Sequence, residues 1–218
     1  MNTNYLSPGI VFMNESDQPL PEGLPRVITF KLDGSTTSGP WRRLARRVAY
    51  ENPWLTVWHD DVRRPDGGDG IYGVVHFRNL AAGIVALDEA DRVALVGQHR
   101  YTLDAWSWEL PEGGVPLGED LLAGARRELR EETGLVAATW RELGRFHLSN
   151  SVTDEAGAIY LATDLREEAP SPEPTEVLEV RRVPFAEALA MTRDGRITDA
   201  MTILGLGWLA LERADARG

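Results

Sequence analysis

The sequence predicts an α/β fold, a mostly antiparallel strand set carrying one central helix and two late ones. Three observations point there. Short runs of β-branched and aromatic residues, separated by turn-rich segments, recur from Leu55 onward. Apolar residues at Leu121, Leu122, Ala125 and Leu129 fall at helical spacing. Two further helical stretches close the chain, one of them opened by a proline.

Taken in order, residues 1–40 are rich in Pro, Gly, Ser and Thr and form an extension with one β-like run, Arg26 to Leu32. Residues 41–80 form an N-terminal strand region and a candidate dimerising segment. It opens on the basic stretch WRRLARR (41–47), which is either a phosphate-binding patch or, as is usual for a charge run, a solvated face. LTVWHDDV and IYGVVHF flank RRPDGGDG and read as a hairpin; GIVALD and RVALVGQHRY flank EAD and read as a second. From residue 81 to 218 runs the main domain. SWELPEGG is an apolar strand end breaking into a glycine loop, whose Gly113, Gly114 and Gly118 let the backbone turn at the head of the central helix. That helix spans Glu119 to Thr133, with Gly134 placed for a C-terminal cap. RELGRFHLSN, AIYLATDL and VLEVRRV are further strands, and REEAPSPEPTE is an irregular acidic loop. PFAEALAMTRDG and DAMTILGLGWLALERA are the late helices.

Composition narrows the function. With 218 residues and 43% hydrophobic content the chain can bury a sizeable core. It has no cysteine, which excludes disulfides, thiol nucleophiles and thiolate metal sites and suits a reducing compartment. Neither a secretory signal nor a membrane-spanning run is evident, so a soluble cytoplasmic protein is expected. A net charge of -11 opposes binding to nucleic acid phosphates. A phosphorylated small molecule would need a divalent cation or well-placed arginines.

The segment RRELREETGL (126–135) sharpens this. Residues three and four apart share a helix face, so Glu128 and Glu132 stack, with Glu131 adjacent. Arg127 can pair with Glu131, and on the helix alone an ion-paired solvated face is the ordinary reading. The glycine loop before it tips the balance, because carboxylates in a row plus loop carbonyls are the hard oxygen donors that Mg²⁺ or Mn²⁺ prefers.

Gly113, Glu119, Arg127, Glu128, Leu129, Glu131, Glu132, Gly134 and Leu135 stand at the spacing of the Nudix box, without departure. On these residues the chain resembles the Nudix hydrolase family. YENPWLTV, VGQHRYTLDAWSWELPEGG and ITDAMTILGLGWLAL look like its ADP-ribose and nucleotide-sugar pyrophosphatase branch, over roughly residues 41 to 213. The resemblance implies an α/β/α sandwich around a mixed sheet. It implies a hydrolase dependent on Mg²⁺, with Mn²⁺ as the substitute, that cleaves the pyrophosphate of a nucleoside diphosphate-sugar. It also implies a homodimer in which N-terminal strands cross to the partner.

Carried over by position, the family's metal ligands are Glu128 and Glu132, Glu131 when a further ion binds, and the carbonyl oxygen of Glu112. Arg127 would orient the glutamates. Arg100 falls where the branch grips substrate phosphates, and Glu109 and Asn150 join it as expected substrate-binding positions. The base would come from the late loop, at Glu176 or Glu173, although their spacing does not match the branch; Glu131 and Glu132 in the box, and Glu155 in SVTDE, are the other candidates. Asn150 stands where the ADP-ribose subgroup has a proline, which weakens ADP-ribose as the specific substrate. The four histidines (His59, His76, His99, His147) show no metal-ligand spacing. The alternatives are hydrolysis of dinucleoside polyphosphates or nucleoside triphosphates, or a nucleotide-binding regulator without catalysis. A whole box and the lack of a helix-turn-helix signal disfavour the regulator.

Overall fold

The computed structural model describes residues 37–168 and 177–217. The expected strand at residues 26–32, and Glu173 and Glu176, lie outside the described residues.

One sheet forms the middle of the molecule. It has the order β8 (Glu112–Pro116), β5 (Asn79–Ala86), β10 (Ala156–Glu167), β9 (Leu135–His147). β5 runs parallel to β10 and antiparallel to β8, so the sheet is mixed. Over Ala82–Ala86 and Ala156–Ala162 its two central strands are buried on both faces, which accounts for the apolar sequence there. Ala82, Ile84 and Ala86 of β5, with Ala158, Tyr160 and Ala162 of β10, pack under α1 (Leu121–Thr133). Val85 and Ile159 point the other way, into a core with Leu206 and Leu209 of α3 (Ala200–Asp215) and Phe185 and Met191 of α2 (Phe185–Asp194). The expected α/β/α sandwich is therefore present.

Each helix begins and ends for a local reason. Asp120 caps α1 by accepting from the Ala123 N–H at 2.9 Å, and Gly134 ends it in the left-handed conformation at φ 68°. Asp199 caps α3 by accepting from the Thr202 N–H at 2.7 Å. The fully buried Thr202 hydroxyl then accepts from the Leu110 N–H at 2.8 Å and ties α3 to the strand end that leads to β8.

Two expectations are corrected. The segments around Glu89 do turn back, with Leu87 bridging Val93 and the Asp88 N–H donating to the Arg92 carbonyl. They do not form a two-stranded hairpin, because both edges of β5 are already occupied by β8 and β10. β6 (Arg92–Arg100) instead joins a second sheet, between β11 (Glu179–Pro184) and β7 (Ala105–Glu109). The glycine loop is likewise mostly strand: Gly113 and Gly114 lie in β8, and only Gly118, at φ 97°, needs glycine for a turn.

The remaining sheet, β1 (Thr37–Ser38), β2 (Trp41–Glu51), β3 (Leu55–Arg63) and β4 (Asp69–Phe77), includes the first expected hairpin. Its basic stretch is neither free nor simply solvated. Arg46 forms two bonds, at 2.7 and 2.6 Å, with the buried Asp60 across the strand pair, and Arg47 pairs with Asp61. Among the described residues no helix is long and apolar enough to cross a membrane.

Candidate active site

A cavity of about 530 Å³ opens where β8, the inner face of α1 and the end of the N-terminal sheet that carries the β2–β3 turn and the last residue of β4 meet. Glu112, Glu128, Glu131, Glu132, Arg127 and Arg100 all line it, together with Glu155 at the mouth of β10.

The close seating of β8 against α1 explains the paired glycines. A Cβ on Gly113 would stand 2.2 Å from the Glu128 carboxyl carbon, and one on Gly114 would stand 2.5 Å from the Asn79 amide nitrogen. Glycine here gives close approach. Across this contact the Glu112 N–H donates to the Glu132 carboxylate at 3.0 Å, which fixes a side chain that is 7% exposed. Arg127 completes the seam. Its guanidinium donates to Glu128 at 2.7 Å, to Glu131 at 3.0 Å and to the Gly114 carbonyl at 3.1 Å. Burial opposes its charge, but Glu128 and Glu131 outweigh that and raise its pKa.

On the other wall Arg100 binds both oxygens of the buried Glu109 and reaches Glu112 at 3.2 Å. The Glu109 bonds hold the guanidinium protonated against the effect of burial. Glu109 therefore sits behind Arg100 and not on the cavity wall. Asn150 lies in the Ser149–Thr153 turn, is exposed, and does not line the cavity.

Glu112 is strongly perturbed. Burial first, then the negative charges of Asp199 and Glu109, pushes its carboxyl well above the usual carboxylate range, and Arg100 only partly offsets them. Its second oxygen, Oε2, is buried without a hydrogen-bond partner. Burial raises Glu155 as well, with the neighbouring Asp154 charge adding to it. Among the described residues, no arginine pairs with Glu155.

These residues fit a hard divalent cation. The donors are all oxygens, Glu112 carries a buried carboxyl oxygen in need of a partner, and Gly113 leaves room for Glu128 against the strand. Among the described residues no three acids already converge as a finished cage. Arg127, Arg100 and the Glu112 N–H hold them instead.

The family models agree with this geometry. The NUDIX domain model matches residues 77–201, and the nucleoside diphosphate sugar hydrolase N-terminal domain model matches residues 41–75. The chain belongs to the Nudix family. It is thus a hydrolase of the pyrophosphate-bond class, and divalent cations are the general cofactors of Nudix hydrolases. It is 36% identical over 168 residues to a CMP-5'-(N-acetyl-N-hydroxy-3-aminopropyl)phosphonate hydrolase of Streptomyces rubellomurinus, covering 76% of this chain and 80% of that one. It is 38% identical over 151 residues to an ADP-ribose pyrophosphatase of Mycobacterium tuberculosis, covering 67% and 72%. A crystal structure of an ADP compounds hydrolase superposes with a TM-score of 0.74 at 22% identity, over 84% of this chain and 99% of that one, and shares the fold.

The sequence alone does not disclose the apolar and amide part of the wall: Trp54, Phe77, Asn79, Gln98 and Met201. One signal for Trp54 was present in ENPW. The Asn52 carboxamide accepts from the N–H groups of Trp54 (2.9 Å) and Leu55 (2.8 Å), an Asx turn that presents a 69% exposed indole at the cavity. The others come from β4, β5, β6 and α3, and only the topology brings them together.

Proposed function

We propose that this Nudix hydrolase cleaves the pyrophosphate bond of a nucleoside diphosphate-sugar such as ADP-ribose, releasing a nucleoside monophosphate and a sugar phosphate. The observation that carries this reading is the cavity that brings the Glu128, Glu131 and Glu132 carboxyl groups together with Arg100 and the Arg100-bound Glu112, with Trp54 and Phe77 also in its lining. The similarity to an ADP-ribose pyrophosphatase supports it.

Glu128 and Glu132, with the carbonyl oxygen of Glu112 and with Glu131 for a further ion, would hold Mg²⁺, or Mn²⁺ in its place. Bound there, the cation would offset phosphate charge and acidify water. Arg127 keeps the glutamates in position through its bonds to Glu128, Glu131 and the Gly114 carbonyl. Arg100, held by Glu109, faces the cavity with the positive charge that a pyrophosphate requires. The indole of Trp54 offers a flat apolar surface to a nucleobase.

Glu155 serves as the general base. Its raised pKa and the lack of an arginine partner among the described residues suit it to take a proton. As the water oxygen bonds to one phosphorus in line, a proton passes to Glu155; the bridging P–O bond breaks, and the other phosphate leaves with the electron pair. The N-terminal sheet supports a homodimer, since β2 is exposed along most of its length with Leu44, Val48 and Tyr50 outward. Light scattering at twice the chain mass checks this. A chain without cysteine suits the cytoplasm.

The relatives' names share a nucleotide and differ in the base and in what it carries, so the test is a substrate panel. Purified protein is incubated with ADP-ribose, other nucleoside diphosphate-sugars, a CMP-phosphonate, a dinucleoside polyphosphate and nucleoside triphosphates, with Mg²⁺ and with chelator. The expected result is AMP and ribose 5-phosphate from ADP-ribose, abolished by chelation and restored by Mg²⁺. Turnover confined to polyphosphates or triphosphates would overturn the substrate class.

A further inference from the structure

Glu155 sits at the end of an exposed turn, an unlikely place for a group that must meet a water molecule at a fixed distance, because loops move more than the elements they join. The structure ties this loop firmly to β4. The Tyr72 hydroxyl donates to the Ser151 carbonyl at 2.8 Å, the Val75 N–H to the Val152 carbonyl at 2.9 Å, and the Asp154 N–H to the Val75 carbonyl at 3.3 Å. The Thr153 hydroxyl oxygen accepts from the Glu155 N–H at 2.9 Å.

The strongest link is made by side chains. One oxygen of Asp154 lies 2.6 Å from His76 Nδ1, and the other accepts from the N–H of Phe77, a cavity residue, at 3.2 Å. A carboxylate can only accept, so this bond places the proton on Nδ1 of His76. His76 is 8% exposed and stacks on Trp58, with centroids 4.5 Å apart and planes 12° from parallel. Trp58 also carries the Arg46 guanidinium at 3.9 Å from its ring centroid, and Arg46 is fixed in turn by Asp60. A continuous stack therefore runs from the N-terminal sheet to the residue next to Glu155.

We propose that Asp154 and His76 form a positioning clasp that holds Glu155 at the cavity, so that the N-terminal sheet sets the geometry of the base. The clasp rests on Glu155 being the base. It asks more of Asp154 than packing does. A surface turn can be anchored by backbone bonds alone, yet here a half-buried carboxylate is matched to a single histidine nitrogen, one residue from the base and one hydrogen bond from the cavity wall. Such supporting shells are what hold a reacting group within a fraction of an ångström of its working position.

Steady-state kinetics with ADP-ribose and Mg²⁺ test it. Asp154→Ala is expected to lower kcat roughly tenfold to a hundredfold, as a misplacement on the order of 1 Å does, with little change in KM. His76→Asn puts an amide nitrogen where Nδ1 lies and keeps kcat within about threefold of wild type, whereas His76→Gln moves the donor to the Nε2 position and does not. Because the clasp acts through Glu155, adding Asp154→Ala to Glu155→Gln costs nothing further in kcat. Additive losses, a loss confined to KM or to melting temperature, or equal impairment by His76→Asn and His76→Gln would overturn the clasp. The two His76 variants decide the matter if Asp154→Ala does not fold. Wild-type kcat in Glu155→Gln removes the base and the clasp together, while a wild-type protein inactive across the panel fails the substrate reading instead.

Discussion

Two stretches look alike in the sequence: WRRLARR, now β2, and RRELREE, now α1. Both are dense in arginine and both invite a ligand. What faces them separates the two. Across from β2 stand Asp60 and Asp61 of β3, and the Arg46 charge is met by Asp60 with the Trp58 ring beneath it. That charge is consumed within the fold. Across from α1 stands a strand with glycines and a buried carboxyl, so Arg127 can satisfy only part of the acid around it, and Glu112 is left with an unpartnered oxygen. That oxygen stays available to a ligand. A charge run therefore acquires meaning from the element opposite it, and whether the opposing charge balances is the useful question.

The contrast can be broken at either end. Arg127→Ala should lower kcat about 10- to 100-fold, the scale of removing a group that orients metal-binding carboxylates, while the protein stays folded by circular dichroism. Arg46→Ala should act first on stability. It leaves Asp60 buried without its partner and should cost about 2–3 kcal/mol in urea unfolding, less than a fully buried pair because Arg46 keeps some solvent access. The Arg141–Glu212 pair gives the smallest effect. Its bonds of 2.8 and 2.6 Å are short but nearly half exposed, so Arg141→Ala should cost under about 1 kcal/mol. Arg141 holds Glu212 below its ordinary pKa of 4.5. A depressed folded-state pKa contributes stability that is present above the unfolded value and lost as pH falls through the folded one. The wild-type advantage over Arg141→Ala should thus persist at neutral pH and vanish on acidification below that range, which unfolding midpoints at a series of pH values will show.

Much of the fold was legible because period and punctuation agreed. Leu121, Ala125 and Leu129 announced α1, and Gly134 marked its end. β5 and β6 were misjoined because turn residues at Glu89 report a reversal of the chain and not which strands pair afterwards; the neighbours of β5 come from residues far away, in β8 and β10. Gly113 and Gly114 look like turn formers because a glycine's sequence does not say whether it needs a positive φ or close contact, and the contact partners, Glu128 and Asn79, lie on other elements. In the site, the carboxylates and Arg127 were visible as a local pattern. Trp54, Gln98 and Met201 were not, since they reach the cavity only through tertiary packing. The role of Glu109 was legible only as a position; its partner, Arg100, shows that it fixes a cation instead of facing the cavity.

The acid row on α1 is kept for chemistry at the expense of helix stability, and Glu132→Gln puts this to the test. Its carboxamide oxygen can still accept from the Glu112 N–H, now at 3.0 Å, so the fold should hold. With ADP-ribose and Mg²⁺, kcat should fall roughly 10²- to 10³-fold, the scale of losing one preorganised electrostatic group, while the unfolding midpoint stays level or rises as a like charge is removed. Turnover at the wild-type level, or a loss that follows the unfolding midpoint downward, would show instead that the row is structural.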